Sequence, residues 1–116
     1  MKLAASFAVF LGLCSGAQAE GYFKNGNQLY LECNSANTYD VAICLGYVMG
    51  ILDQIELYAD VSKTQTCIPA NVTAGQVKDV VVKQMNDDPA NRNLPASSIV
   101  FEAAFKAWGC EPPPKN

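Results

Sequence analysis

Four cysteines, Cys33, Cys44, Cys67 and Cys110, follow an N-terminal segment that reads as an export signal, and the 116-residue chain contains no histidine. An even number of cysteines in an exported chain this short reads as a disulfide framework. Zinc is the competing use, but there is no C-x-x-C pair and no imidazole to complete a site. Cysteines that cross-link limit the fold to arrangements that bring them together in pairs, and three pairings are open.

The export signal is residues 1–19: Lys2, the apolar stretch Leu3 to Leu13, then Ala17-Gln18-Ala19, a small-x-small peptidase site with cleavage expected after Ala19. Lipidation at Cys14 would call for a small residue before it, where this chain has Leu13. No downstream stretch reaches about 18 uninterrupted apolar residues. The expected product is a periplasmic, soluble single domain, residues 20–116, with no membrane association after cleavage. It carries seven basic and eleven acidic residues, a net charge of −4. That balance argues against nucleic acid or an anionic membrane as partner and suits a protein partner. A domain of this size buries a modest core, so covalent ties matter.

Apolar periodicity predicts an all-α fold, a small disulfide-linked bundle of three main helices. The first runs from about Asp40, after the cap candidates Asn37 and Thr38, to about Ala59, with Val41, Cys44, Leu45, Val48, Leu52, Ile55 and Ala59 on its core face. Ile43, Gly46, Gly50 and Leu57 lie on the opposite side. Each mid-helix glycine costs about 1 kcal/mol against alanine. Close packing of a second body, either another helix of the chain or a second copy, would offset that cost. The second helix opens on Thr73-Ala74-Gly75-Gln76, a capping box, and runs to about Asn86 with Val77, Val80, Val81 and Met85 inward. The third runs from Ala96 or Ser97 to Trp108, with Val100, Phe101, Ala104, Phe105 and Trp108 sharing a face, Glu102 and Lys106 as an exposed pair, and Gly109 as the cap. Upstream, NGNQLYLECNS admits a short N-terminal helix docking Leu29, Tyr30 and Leu31 on the core.

Short connections make successive helices antiparallel. Cys67 and Cys110 then share one pole and Cys44 lies at the other, so the expected pairs are Cys33–Cys44 and Cys67–Cys110. In the chain-entropy account these add about 3 and about 4 kcal/mol.

Candidate chemistry is sparse. Asp87 and Asp88 adjoin each other in a loop and cannot face one another across a cleft as glycosidase carboxylates do. Asp53 and Glu56 are one helical turn apart, too few ligands for a cation site on their own. Ser97 and Ser98 have no evident base, and without histidine the ordinary nucleophile and base pairings are missing. Asn71-Val72-Thr73 fits a glycosylation sequon, a short and unspecific pattern. The residues therefore predict a non-catalytic binding protein without metal or cofactor. The polar loop Asn86 to Pro95, with Asp87, Asp88, Asn91, Arg92 and Asn93, is the candidate partner-binding segment.

The succession CLGYVMGILDQ, CIPANVTAGQVKDVVVKQMNDDP and ASSIVFEAAFKAWGC resembles the Rap/Tai immunity proteins, periplasmic partners of type VI secretion amidase effectors, from about Leu29 to Cys110. The positions that carry the likeness are Cys44, Gly46, Tyr47 and Gly50, then Cys67, Ile68, Pro69, Thr73 and Gln76, then Pro89 and Cys110. Trp108-Gly109-Cys110 and Gln84-Met85 depart from the family's usual Phe-Pro-Cys or Trp-Pro-Cys ending and Tyr-Leu. The resemblance implies an all-α, disulfide-tied domain that often dimerises and blocks a secreted peptidoglycan amidase. A small periplasmic acid-stress chaperone is the alternative.

Overall fold

Residues 21–109 are described here from a computed structural model of the chain. Four α-helices are formed: α1 (Gly26–Cys33), α2 (Thr38–Ser62), α3 (Ala74–Asp87) and α4 (Ala96–Trp108), with a 3₁₀ turn at Pro89–Asn91 between the last two. The export signal, its cleavage point at Ala19, and Cys110 lie outside the described residues.

An isolated eight-residue helix is unstable in water, so α1 depends on its ends and its packing. Its start is a capping box, in which Asn25 Oδ1 accepts from the Gln28 N–H at 3.0 Å and Gln28 Oε1 accepts from the Asn25 N–H at 2.9 Å. The flanking chain pairs with the entry to α4, the Gly26 N–H donating to the Leu94 carbonyl at 2.9 Å and the Ala96 N–H to the Lys24 carbonyl at 3.0 Å. Gly26 is required at this crossing, because a Cβ there would stand 2.3 Å from Ile99 Cδ1 and 2.6 Å from the Arg92 carbonyl oxygen. Leu29 is fully buried, and the Cys33–Cys44 disulfide, with Cα atoms 5.1 Å apart, fastens the other end of α1 to α2. Tyr30 packs against the core, whereas Leu31 points to solvent, against expectation. Successive helical residues stand about 100° apart, so one face cannot take both Leu29 and Leu31.

The 25-residue α2 is the central element and packs against α1, α3 and α4. Asn37 caps it by accepting from the Tyr39 N–H at 2.9 Å. It continues about a turn beyond Ala59 and ends on Lys63, whose φ of 56° and ψ of 34° are left-handed. Cys44, Val48, Ile55 and Ala59 are buried, while Val41, Leu45 and Leu52 are half-buried on the same side. By length and composition alone α2 is long and apolar enough to cross a membrane, and 17% of that window is buried within the fold. In the fold it is tied in by the Cys44 disulfide and by all three neighbouring helices.

The capping box of α3 forms as its sequence dictates, with Thr73 Oγ accepting from the Gln76 N–H at 3.2 Å and Gln76 Oε1 from the Thr73 N–H at 2.8 Å. Val77, Val81 and Met85 enter the core. Cys67, on the connection from α2, is disulfide-bonded; its expected partner, Cys110, is beyond the described residues.

The inward face of α4 differs from the expected one. Ala96, Ile99, Val100, Ala103 and Ala104 are buried, whereas Phe101 and Phe105 remain 50% and 45% exposed. Three alanines let α4 approach the other helices closely, and a phenylalanine at that contact would hold it away. Gly109 ends α4 with an extended backbone, not a left-handed one; its role is proximity, since a Cβ would lie 2.4 Å from the Phe105 carbonyl oxygen.

Candidate functional site

The segment Asn86 to Pro95 is a braced connection. Asp87 is the last residue of α3 and pairs with Lys83 one turn back. Asp88 accepts from Asn91 Nδ2 at 2.7 Å, closing the 3₁₀ turn. Arg92 turns inward: its Nε donates to the Met85 carbonyl at 2.7 Å and its guanidinium lies 3.8 Å from the centre of the Tyr30 ring. The Tyr30 hydroxyl in turn donates to Asn86 Oδ1 at 3.0 Å. The structure therefore joins Asp88 to Asn91 but turns Asp87 back to Lys83, leaves Asp87, Asn91 and Asn93 facing solvent, and assigns Arg92 to the scaffold. The segment can present fixed polar groups to a partner at little ordering cost.

On the outer face of α2, Gly46 and Gly50 are exposed, and a Cβ built on either meets nothing within 4 Å. No helix among the described residues crosses there. Ile43 is half-buried and Leu57 is 56% exposed, and Tyr39, Met49 and Val61 extend the same apolar surface. The helix bears the cost of both glycines with no compensating contact in the described protomer.

Between α2 and α4 lies an open groove of 760 Å³ that the sequence reading did not foresee. Ile51, Ile55 and Ala59 contribute from α2, with Tyr58 at the side, and Phe101 and Phe105 form the α4 wall. The two phenyl rings stack with centroids 4.5 Å apart. The groove was hidden because Phe101 and Phe105 were placed in the core. The stripe Ala96, Ile99, Val100, Ala103 and Ala104 was the available signal, since choosing it as the buried face leaves both phenylalanines on the flank.

Near the groove, Tyr47 on α2 reaches the first turn of α4. Burial pushes its phenol above the ordinary value of 10.0, outweighing the hydrogen bonds from the Ser97 hydroxyl and backbone N–H, and the Glu32 charge adds to the rise. A phenol held neutral is not a base for Ser97. Lys24 pairs with Glu32 and sits 5.0 Å from the centre of the Tyr47 ring, joining the chain before α1 to α1 and α2. Asp53 and Glu56 are both exposed, and Glu56 accepts from the Thr66 hydroxyl at 2.6 Å. These arrangements suit recognition by contact.

No curated protein and no solved structure matches the chain significantly. The family model of the Rap1a immunity proteins matches residues 25–110, from the cap of α1 through all four helices. With the helical scaffold, the Cys33–Cys44 tie and this match over most of its length, the chain belongs to the Rap1a immunity protein family.

Proposed function

We propose that this Rap1a-family chain is exported to the periplasm, released by cleavage after Ala19, and there binds and inhibits a secreted peptidoglycan amidase, an effector of type VI secretion. The observation that carries this reading is the family match over residues 25–110. A braced, polar connection at Asn86 to Pro95 supports contact with the effector through Asp87, Asn91 and Asn93, because rigid scaffolds present binding loops efficiently. The open Gly46/Gly50 face, with Ile43 and Leu57, supports pairing with a second copy, for which two glycines one turn apart permit close helix approach.

The test is protection. A panel of type VI peptidoglycan amidases is directed to the periplasm of a susceptible host, with and without the protein. Rescue of growth by the full chain, and no rescue when residues 1–19 are removed, is the expected outcome. Lysis by every amidase regardless of the protein would overturn the reading.

A further inference from the structure

We infer that α1 shapes the segment Asn86 to Pro95 for its partner, so that tight binding there depends on the Cys33–Cys44 disulfide. This rests on the partner-binding reading above and adds to it the redox condition under which that site works.

Helix α1 meets the segment at both ends. At the near end the Tyr30 hydroxyl donates to Asn86 Oδ1 at 3.0 Å, and the Arg92 guanidinium lies 3.8 Å from the centre of the Tyr30 ring. At the far end the Gly26 N–H donates to the Leu94 carbonyl at 2.9 Å and the Ala96 N–H to the Lys24 carbonyl at 3.0 Å, while Asn25 and Pro95 form an isolated antiparallel bridge. The segment's own bonds close its turn and return Arg92 to the end of α3. The backbone pairing at its far end runs through α1 and the residues just before it.

What holds α1 therefore holds the segment. Eight residues do not sustain a helix in water. The pairing at Gly26 and the buried Leu29 secure the first part of α1, and the bond from Cys33 to Cys44 secures its last turn. With that bond open the last turn frays, and Tyr30, three residues before Cys33, goes with it. Tyr30 is thus a positioning residue, acting on the partner through Asn86 and Arg92. Closing the bond takes two electrons and two protons from the two thiols, and a disulfide oxidant accepts them and becomes a dithiol. The binding surface is complete only in a compartment that supplies such an oxidant, the kind to which residues 1–19 would direct the chain.

The test uses the exported protein with Cys33→Ser and Cys44→Ser together, which leaves the disulfide at Cys67 in place. The Ala96 N–H, in the first turn of α4, has no acceptor within its own helix, so its hydrogen-exchange protection reports the pairing with Lys24. The amides of Ala96 and Gly26 are expected to exchange at least about tenfold faster, a larger change than at Val81 and Met85. Dissociation from an amidase that the unaltered protein inhibits should quicken at least about tenfold. Val77→Ala, at the other end of α3 from Asn86, is the stability control: it should lower the thermal midpoint and leave dissociation unchanged. Should the double variant not fold, Tyr30→Ala with the disulfide intact should quicken dissociation, and Tyr30→Phe, which keeps the ring under Arg92, should do so less. Protection at Ala96 that survives loss of the disulfide, or unchanged dissociation in Tyr30→Ala, would overturn the inference. Undiminished inhibition by a variant whose Ala96 amide has opened would also overturn it, while leaving the immunity reading standing. If the unaltered protein inhibits no amidase, the immunity reading fails, and the exchange result judges the brace separately.

Discussion

Tyr47, on α2, lies beside Ser97 in the first turn of α4, whose hydroxyl and backbone N–H favour the ionised phenol while burial, the larger effect, opposes it. Pro95, at the N-cap position of α4, supplies no side-chain acceptor, and the Tyr47 phenol is the polar group that interacts with this end of the helix from about fifty positions away in sequence. Tyr47→Phe keeps the ring and removes the hydroxyl. The expected loss is about 1 kcal/mol, typical of a deleted polar contact, read as a lower urea midpoint with an unchanged slope.

The same residue sets an alkaline limit. Its folded-state pKa is raised, chiefly by burial, so the folded state holds the proton more tightly than the unfolded chain does. The associated stability is complete below the unfolded value of about 10 and is lost as pH rises through the folded value. Urea titrations between about pH 8 and 11 should show stability falling at the upper end. In Tyr47→Phe that component should be absent.

Alanine should act with opposite signs at three glycines. At Gly46 and Gly50 the new methyl enters open space, so each substitution should stabilise the isolated protomer by up to about 1 kcal/mol. At Gly26 the methyl meets Ile99 and the Arg92 carbonyl, and a loss of about 1–3 kcal/mol is expected. Thermal denaturation of the three variants at low concentration checks both signs.

Lys63 ends α2 in a left-handed conformation that costs a residue with a Cβ about 1 kcal/mol. Lys63→Gly should recover most of that, less the added freedom of the unfolded chain. A modest rise in thermal midpoint is the expected result, and a fall would mean that the lysine side chain contributes to the fold.

The Cys33–Cys44 disulfide closes a loop across a sequence separation of 11. Replacing both cysteines by serine should cost about 3 kcal/mol in the chain-entropy account. Because α1 is short, it should loosen first, and the amides of Leu29 and Tyr30 should lose hydrogen-exchange protection before those of α3.

Where local chemistry decided an element, the sequence was readable. Thr73 and Gln76 declare the start of α3, and Asn37 that of α2. Asn25 and Gln28 carry the same kind of signal for α1, legible but masked by the brevity of the helix. The face of α4 was read one step out of phase, because Phe101 and Phe105 outweigh Ala103 and Ala104 in hydrophobicity although the small residues make the close contact. Arg92 was read as a loop charge, yet it stacks on Tyr30, a partner 62 positions away that no local pattern announces. The meeting of Tyr47 with Ser97 and the crossing at Gly26 are likewise tertiary relationships, visible only once the helices are placed.

The central claim is that this protein acts by occupying a peptidoglycan amidase, with no chemistry of its own. The most direct test is a titration of the purified protein into each amidase of the panel, with release of stem peptides from peptidoglycan as the readout. The account predicts that one member loses its activity linearly and reaches zero near stoichiometric addition, with the added protein recovered intact. Full amidase activity at every ratio across the panel, or cleavage of peptidoglycan by the protein itself, would contradict it.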